Sequence, residues 1–322
     1  MNSYLKFIGK KLLFALLTIF VISIFAFLII HLMPGDPVRT MLGSEADEAV
    51  VEATREELHF NEPLVKQYII WITDALHGDF GRSLVLNQEI SSLISERLPI
   101  TLNLTVPAML ISIVVGILIG IICATHRGSV ADQVLTVLMT TMNGIPIFWI
   151  GILLMYFFGV QLGWLPLMGY VSPTESLSGY FSHACLPVFI MCFGPMSSIA
   201  RQVRTNMLDV INQDYIRTAK AYGLKTRVIR YRYALKNVLI PVITLIALQV
   251  RSIVGGSLLA EQVFSIPGIS RLITMSVMNH DIFTVQALVL VISGFVVIAN
   301  LILELLYGFI DPRIRITGGK AK

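Results

Sequence analysis

From Leu12 to Ile30 the chain carries no charged residue, and the same holds from Ile100 to Thr125 and from Gln133 to Thr174. A bilayer is crossed by about 20 consecutive apolar residues in a helix. Runs of this length leave a chain few ways to fold outside a membrane. Composition agrees: 14% of the residues are charged and 55% hydrophobic, where soluble domains carry roughly 25% charge. Too little charge remains to cover a water-facing surface, and so apolar a chain is not a disordered one.

The first run has the basic flank of a secretory leader in Lys6, Lys10 and Lys11. It is longer than the roughly 7–15 residues of a leader's apolar region, and no small-residue cleavage site follows it. His31-Leu32-Met33-Pro34-Gly35-Asp36-Pro37 comes instead, so the run is read as a retained span. Further spans are expected near 134–160, kinked at Gly144 and Pro146, near 184–202 with Pro187 and Pro195, near 239–257 and near 284–310. With 12–30 and 100–125 these make six.

Charge tests the count. The N-terminus is basic, residues 34–98 hold 12 acidic and 5 basic residues, and residues 201–240 hold nine basic and two acidic ones. The 258–283 loop is slightly acidic and the tail after 310 is basic. Basic and acidic segments alternate as six spans require. The excess of basic residues on cytoplasmic loops then places both termini and the 201–240 loop in the cytoplasm and the acidic lobe outside. The expected fold is an all-α integral membrane protein with six transmembrane helices. Its regions are 1–33 (N-terminus and first span), 34–98 (extracytoplasmic lobe), 99–310 (five further helices, including the cytoplasmic loop 201–240) and 311–322 (cytoplasmic tail). Within the lobe, helices are expected over 45–60 and over 64–77, the second opened by Pro63 and closed by Gly78.

The net charge of +4 is dispersed by segment, which is not the concentrated basic patch of a nucleic-acid binder. Cys123, Cys185 and Cys192 sit in apolar stretches without a C-x-x-C pair, and are read as small buried hydrophobes. The six histidines show no metal-ligand spacing, and no Ser/His/Asp arrangement marks a catalyst. Asn103-Leu104-Thr105 fits a glycosylation sequon but lies at a span, and Met139, Met142 and Met155 suit packing.

The 201–240 loop is too long for a simple turn. Ile216, Ala219 and Gly223 recur at helical spacing, and a small-residue face ending in Gly suits a tight turn or close docking. A second, basic amphipathic helix is expected from Lys225 to Leu235. A surface helix on anionic headgroups accounts for the same spacing. The residues Arg217-Thr218-Ala219-Lys220-Ala221-Tyr222-Gly223, however, resemble the E-A-A-x-x-x-G coupling loop of ABC-importer permeases. The stretch from Asp214 to Pro241 resembles the version found in dipeptide, oligopeptide and nickel permeases. Arg217 stands where many such permeases have Glu, and Lys236 where others have Pro, which narrows the resemblance to that branch. Further similar stretches are Leu32–Pro37, His77–Ser83, Gly255 to Gly268 and Asp311–Arg315, so the resemblance covers nearly the whole chain.

That resemblance implies a permease subunit in the bacterial cytoplasmic membrane that is not itself an enzyme. It implies a heterodimer with a second, homologous permease, two cytoplasmic ATPases and an extracytoplasmic substrate-binding protein. It also implies that Asp214, Tyr215, Arg217, Ala219, Gly223 and Leu224 meet an ATPase. The chain has no G-x-x-x-x-G-K-[ST] loop, and Gly318-Gly319-Lys320-Ala321 does not match its spacing, so no cofactor is expected on this chain, ATP and Mg being used by the partners. Arg251 lies within the fifth span and Glu304 within the sixth. Ionisable residues there face a cavity or a partner. Arg251, with Gly255 and Gly256, is a candidate for the translocation pathway, and Glu304 for pairing near the cytoplasmic end. Short peptides are the expected substrate, with nickel or a metal chelate as the alternative. A stand-alone secondary transporter or channel is the competing class, and it leaves the Asp214–Pro241 segment unexplained.

Overall fold

The structure is a computed structural model that describes residues 2–32, 36–43, 46–83 and 85–310. Helices dominate: α1 (Asn2–Leu32), α2 (Pro37–Leu42), α3 (Glu48–Glu57), α4 (Leu64–Leu76), α5 (Ile90–Thr125), α6 (Val130–Gly144) and α7 (Ile147–Leu154). They continue with α8 (Leu177–Ile211), α9 (Asp214–Ala221), α10 (Thr226–Val228), α11 (Leu235–Val263), α12 (Ile269–Met278) and α13 (Ile282–Ile310). A two-stranded antiparallel hairpin, β1 (Arg82–Ser83) and β2 (Gln88–Glu89), pairs Arg82 with Glu89.

Five described helices are long and apolar enough to cross a membrane, and α6 with α7 passes the same test as a broken pair bent by 105°. The expected break at Gly144 and Pro146 is in place, but it is far sharper than a kink. Ile145, which precedes the proline, is extended (φ −85, ψ 132), because the proline ring disfavours the helical region for the residue before it. Pro146 then opens α7, and the chain leaves it through a π-helical turn over Met155–Gln161.

By contacts the chain divides into two compact units. One comprises Met1–Ile8, Leu102–Ile266 and Ala299–Lys322, the other Gly9–Thr101 and Pro267–Ile298.

In the first unit α8 is the central helix. Of its most apolar stretch 72% is buried, against 28% for α11. Two glycines explain how close α5 comes to it. A Cβ on Gly116 would stand 2.9 Å from the Met196 carbonyl, and one on Gly120 would stand 2.6 Å from the Ala200 carbonyl. Small residues allow such helix contacts in a membrane, where apolar burial does not drive helices together. The same region of α8 also meets α6, where the Ser197 hydroxyl donates to the Met139 carbonyl at 2.6 Å. Cys192, like Cys123, is buried as expected, but Cys185 is exposed; its apolar neighbours in sequence did not report which face it occupies.

In the second unit the described part of the 34–98 segment packs on helices, not on itself alone. Tyr68 of α4 meets the Ser23 hydroxyl of α1 at 2.8 Å, and His31 meets Gln67 at 3.0 Å. Phe27 meets Tyr68 edge-on and Trp71 at a tilt. Ile90, Leu93, Ile269, Leu272, Ala287 and Leu288 form a buried cluster. The Ser83 hydroxyl donates to the Asp281 carboxylate at 2.5 Å, which anchors the hairpin to the start of α13. α4 starts at Leu64 as expected, whereas α3 is shorter than the expected 45–60 and starts at Glu48, where Asp47 caps it by accepting from the Ala49 amide. The motif residues Met33, Pro34 and Gly35 and everything from Asp311 on, with Gly318-Gly319-Lys320, lie outside the described residues.

Candidate functional site

The first unit holds the segment that the sequence singles out. The chain leaves α8 at Asn212, turns through Gln213 and enters α9 at Asp214. Asp214 lies in the first turn of α9 and Lys220 in its last, the placement that a helix dipole favours. Gly223 ends the element with φ +75, a left-handed conformation open to glycine and costly for other residues. Its amide donates to the Lys220 carbonyl at 2.9 Å, and the Leu224 amide to the Ala219 carbonyl at 3.3 Å, which closes the C-terminal carbonyls.

The two faces of α9 differ. Ile216, with 0% exposure, and Ala219, with 7%, enter a buried cluster. That cluster includes Ile121 and Ala124 at the end of α5, Val203 and Met207 of α8, and Val238 and Val242 of α11. The other candidates, Asp214, Tyr215, Arg217, Gly223 and Leu224, are exposed, and Tyr222 beside them is 83% exposed. Ala219 therefore makes its close approach to this chain's own core, while the five others form the outward surface. Among the described residues no side chain crowds Gly223, and its backbone angle accounts for a glycine there. Arg217 reaches Asp214 at 3.3 Å, but an ion pair this exposed contributes little and leaves the guanidinium open to a better partner.

The expected separate helix from Lys225 to Leu235 is not a free-standing element. A single turn over Thr226–Val228 passes into a π-helical stretch over Ile229–Ala234 and on into α11. Residues 225–235 contain neither Gly nor Pro, so nothing stops the helix before α11. Ile229 and Ala234 belong to the same cluster as Ile216. A push on the outer face of α9 is thus borne by side chains packed on three long helices.

One further contact here was not legible in sequence. Asp132, at the start of α6, is 3% exposed. Arg204 of α8 grips it through two hydrogen bonds, at 2.8 and 2.9 Å. The Gly128 amide and the Thr136 hydroxyl also donate to this carboxylate, at 3.0 and 3.3 Å. Bidentate geometry with every oxygen occupied is what a buried ion pair needs to offset its desolvation. A charge in a short turn gave no sign of a partner 72 residues away.

Arg251 and Gly255, one helical turn apart on α11, are both exposed, while Gly256 is buried, with the nearest atom to a built Cβ being that of Ile147 at 3.7 Å. The three therefore do not share one face. Glu304 is half-buried on α13. Among the described residues no three His, Cys, Asp or Glu side chains are grouped to hold a metal.

Comparisons with known proteins cover nearly the whole chain. Residues 116–316 match the family described as "Binding-protein-dependent transport system inner membrane component". Residues 4–105 match its N-terminal companion, described as "Binding-prot-dependent transport system membrane comp, N-term". A relative from Sinorhizobium fredii, named "Probable peptide ABC transporter permease protein y4tP", is 37% identical over 96% of this chain and 99% of its own. A "Glutathione transport system permease protein GsiC" from Salmonella choleraesuis is 37% identical over 97% of this chain and 99% of its own. The one from Escherichia coli K12 is 35% identical over the same shares. Among solved structures, the inward-facing MetNI methionine ABC transporter matches with a TM-score of 0.53 at 17% identity, over 68% of this chain and 96% of that one; this likeness concerns the fold.

Proposed function

We propose, from the premise that this chain belongs to the family of binding-protein-dependent transport inner membrane components, that it forms half of the pathway of an importer for short peptides. At the coarser level the chain is an ABC-importer permease subunit, a multi-pass membrane protein and not an enzyme. The finer reading rests on one observation. α9 is a short helix with a polar outer face, held by Ile216 and Ala219 against the ends of three long helices.

A surface built this way receives a push without deforming. Packed interiors resist compression, so displacement of α9 is passed on as rigid movement of α5, α8 and α11. The partner is an ATPase. Asp214, Tyr215, Arg217, Gly223 and Leu224 meet it, and Ala219 holds the helix from behind. Alternating access then follows from rigid-body motion of helices. ATP and magnesium are bound by the ATPases and not by this chain. A second homologous permease completes the pathway, an external binding protein delivers the substrate, and both termini face the cytoplasm. On that reading Arg251 and Gly255, exposed on α11, face the pathway.

Peptide as the cargo is supported by the relatives named for peptide and glutathione transport. The test is uptake in cells lacking this chain, with a labelled dipeptide, labelled glutathione and labelled nickel assayed side by side. Loss of peptide uptake alone is expected. Loss of nickel uptake alone overturns the cargo and leaves the coupling surface standing.

A further inference from the structure

The second unit contains a cavity of about 400 Å³ whose contents the importer reading does not use. Ligand clefts begin at about 300 Å³, so a small molecule fits. The walls are aromatic: Phe27, Phe60, Trp71, Phe80 and Phe283 all line it. Three carboxylates line it too, Glu57, Asp74 and Asp79, against one guanidinium, Arg82. The three carboxylates are exposed. Gln286 of α13, 1% exposed, also belongs to the lining.

Most polar groups around this cavity are occupied. His31 bonds Gln67 and the Phe27 carbonyl. The Gln67 amide donates to the Phe60 and Glu62 carbonyls. Asp79 accepts from the Gly81 amide, and Thr54 donates to the Val50 carbonyl. Among the described buried groups of this lining, Gln286 is the exception: its Nε2 has no hydrogen-bond partner. Buried polar groups are nearly always paired, and an unmet one costs about 1–3 kcal/mol. An unmet amide donor in the lining calls for an acceptor. Exposed carboxylates call for a cation, and aromatic faces favour one within about 6 Å.

We propose that this cavity binds a primary ammonium group carrying a nearby carbonyl, as at the amino terminus of a short peptide. The carbonyl accepts from Gln286 Nε2, Glu57 and Asp74 hold the ammonium, and the aromatic wall takes an apolar first side chain. No bond is made or broken. The site rests on the geometry of the second unit and not on the coupling surface.

Trp71 lines the cavity and reports on it. The full chain in nanodiscs, with Trp149→Phe and Trp164→Phe, leaves Trp71 as the remaining tryptophan of the three in the sequence. Three probes are titrated: Phe-Ala, N-acetyl-Phe-Ala, which lacks the cation, and phenethylamine, which lacks the carbonyl. Phe-Ala is expected to change Trp71 emission saturably. N-acetylation, removal of the carbonyl and Gln286→Leu are each expected to weaken binding about tenfold, the equivalent of one hydrogen bond. Glu57→Gln with Asp74→Asn alters exposed positions, spares the fold, and is expected to weaken Phe-Ala without affecting the acetylated probe. Equal affinity for Phe-Ala and its acetylated form, an unchanged affinity in the Gln286→Leu or the double variant, or no saturable response overturns the proposal. A negative result removes this site alone, because uptake and ATPase coupling are read separately.

Discussion

The α9 surface and the aromatic cavity treat buried polarity in opposite ways. Around α9 the inward side chains are apolar, the C-terminal backbone end is closed, and Asp132, a buried charge in the same unit, accepts four hydrogen bonds. In the cavity a buried amide donor is left open. A surface that transmits force has no use for an unmet group, since an unmet group invites rearrangement. A cavity that receives a ligand needs one, because a donor already satisfied by the protein offers nothing to a guest. The two regions thus differ in which partner completes them.

The contrast breaks most visibly at Arg204. Arg204→Met leaves the Asp132 carboxylate buried without its cation and is expected to cost about 3–5 kcal/mol, read as a lower melting temperature of the purified complex. The double variant Asp132→Leu with Arg204→Met is expected to recover most of that loss. Equal loss in both would mean that packing at these positions, not the pairing, carries the effect.

Ile216→Ala comes next. Ile216 is fully buried under α9, and removing three carbons there is expected to cost about 2–4 kcal/mol. Uptake should fall further than stability, because the helix loses its anchor. Retained uptake at a reduced melting temperature would mean that α9 does not carry the push.

Gln286→Leu should move stability in the opposite direction. It removes an unmet donor of similar volume from the second unit, so the melting temperature is expected to hold or to rise by the equivalent of about 1 kcal/mol. A fall of more than about 1 kcal/mol would show that the amide is structural and would erase the contrast.

The smallest effect sharpens the comparison from the functional side. Arg217→Ala removes an exposed pair with Asp214 that is worth under about 0.5 kcal/mol, so melting should not move while uptake falls. If both stay unchanged, Arg217 has no place in the outward surface.

Much of the fold was legible because lipid imposes a coarse rule. Charge-free runs at Leu12–Ile30 and Ile100–Thr125 fall inside α1 and α5, and the break at Gly144 and Pro146 announced itself through its residue types. The degree of that bend was not legible, since a proline fixes one residue's angle and packing sets the rest. The α9 element was readable from the spacing of Ile216, Ala219 and Gly223, and the inward turn of Ala219 followed only from what lay behind it. The pairing of Asp132 with Arg204, the exposure of Cys185 and the open amide of Gln286 were all hidden for one reason. Each depends on a neighbour distant in sequence, and local periodicity carries no information about such a neighbour. Gln286 sits in a mostly apolar stretch of α13, where an occasional polar residue reads as tolerated.

The central claim is that α9 converts ATPase movement into helix movement, and Gly223 tests it most directly. Its φ of +75 ends the helix beneath an open, uncrowded surface. Gly223→Trp both strains that turn and places bulk where the partner docks, without touching the buried cluster. The measurement is the ratio of peptide taken up to ATP hydrolysed, in proteoliposomes holding the whole importer. The account predicts continued hydrolysis with uptake reduced about tenfold or more, in line with the loss of a close-packed contact worth more than about 1.4 kcal/mol. An unchanged ratio would contradict it and leave α9 as a surface helix without a role in coupling.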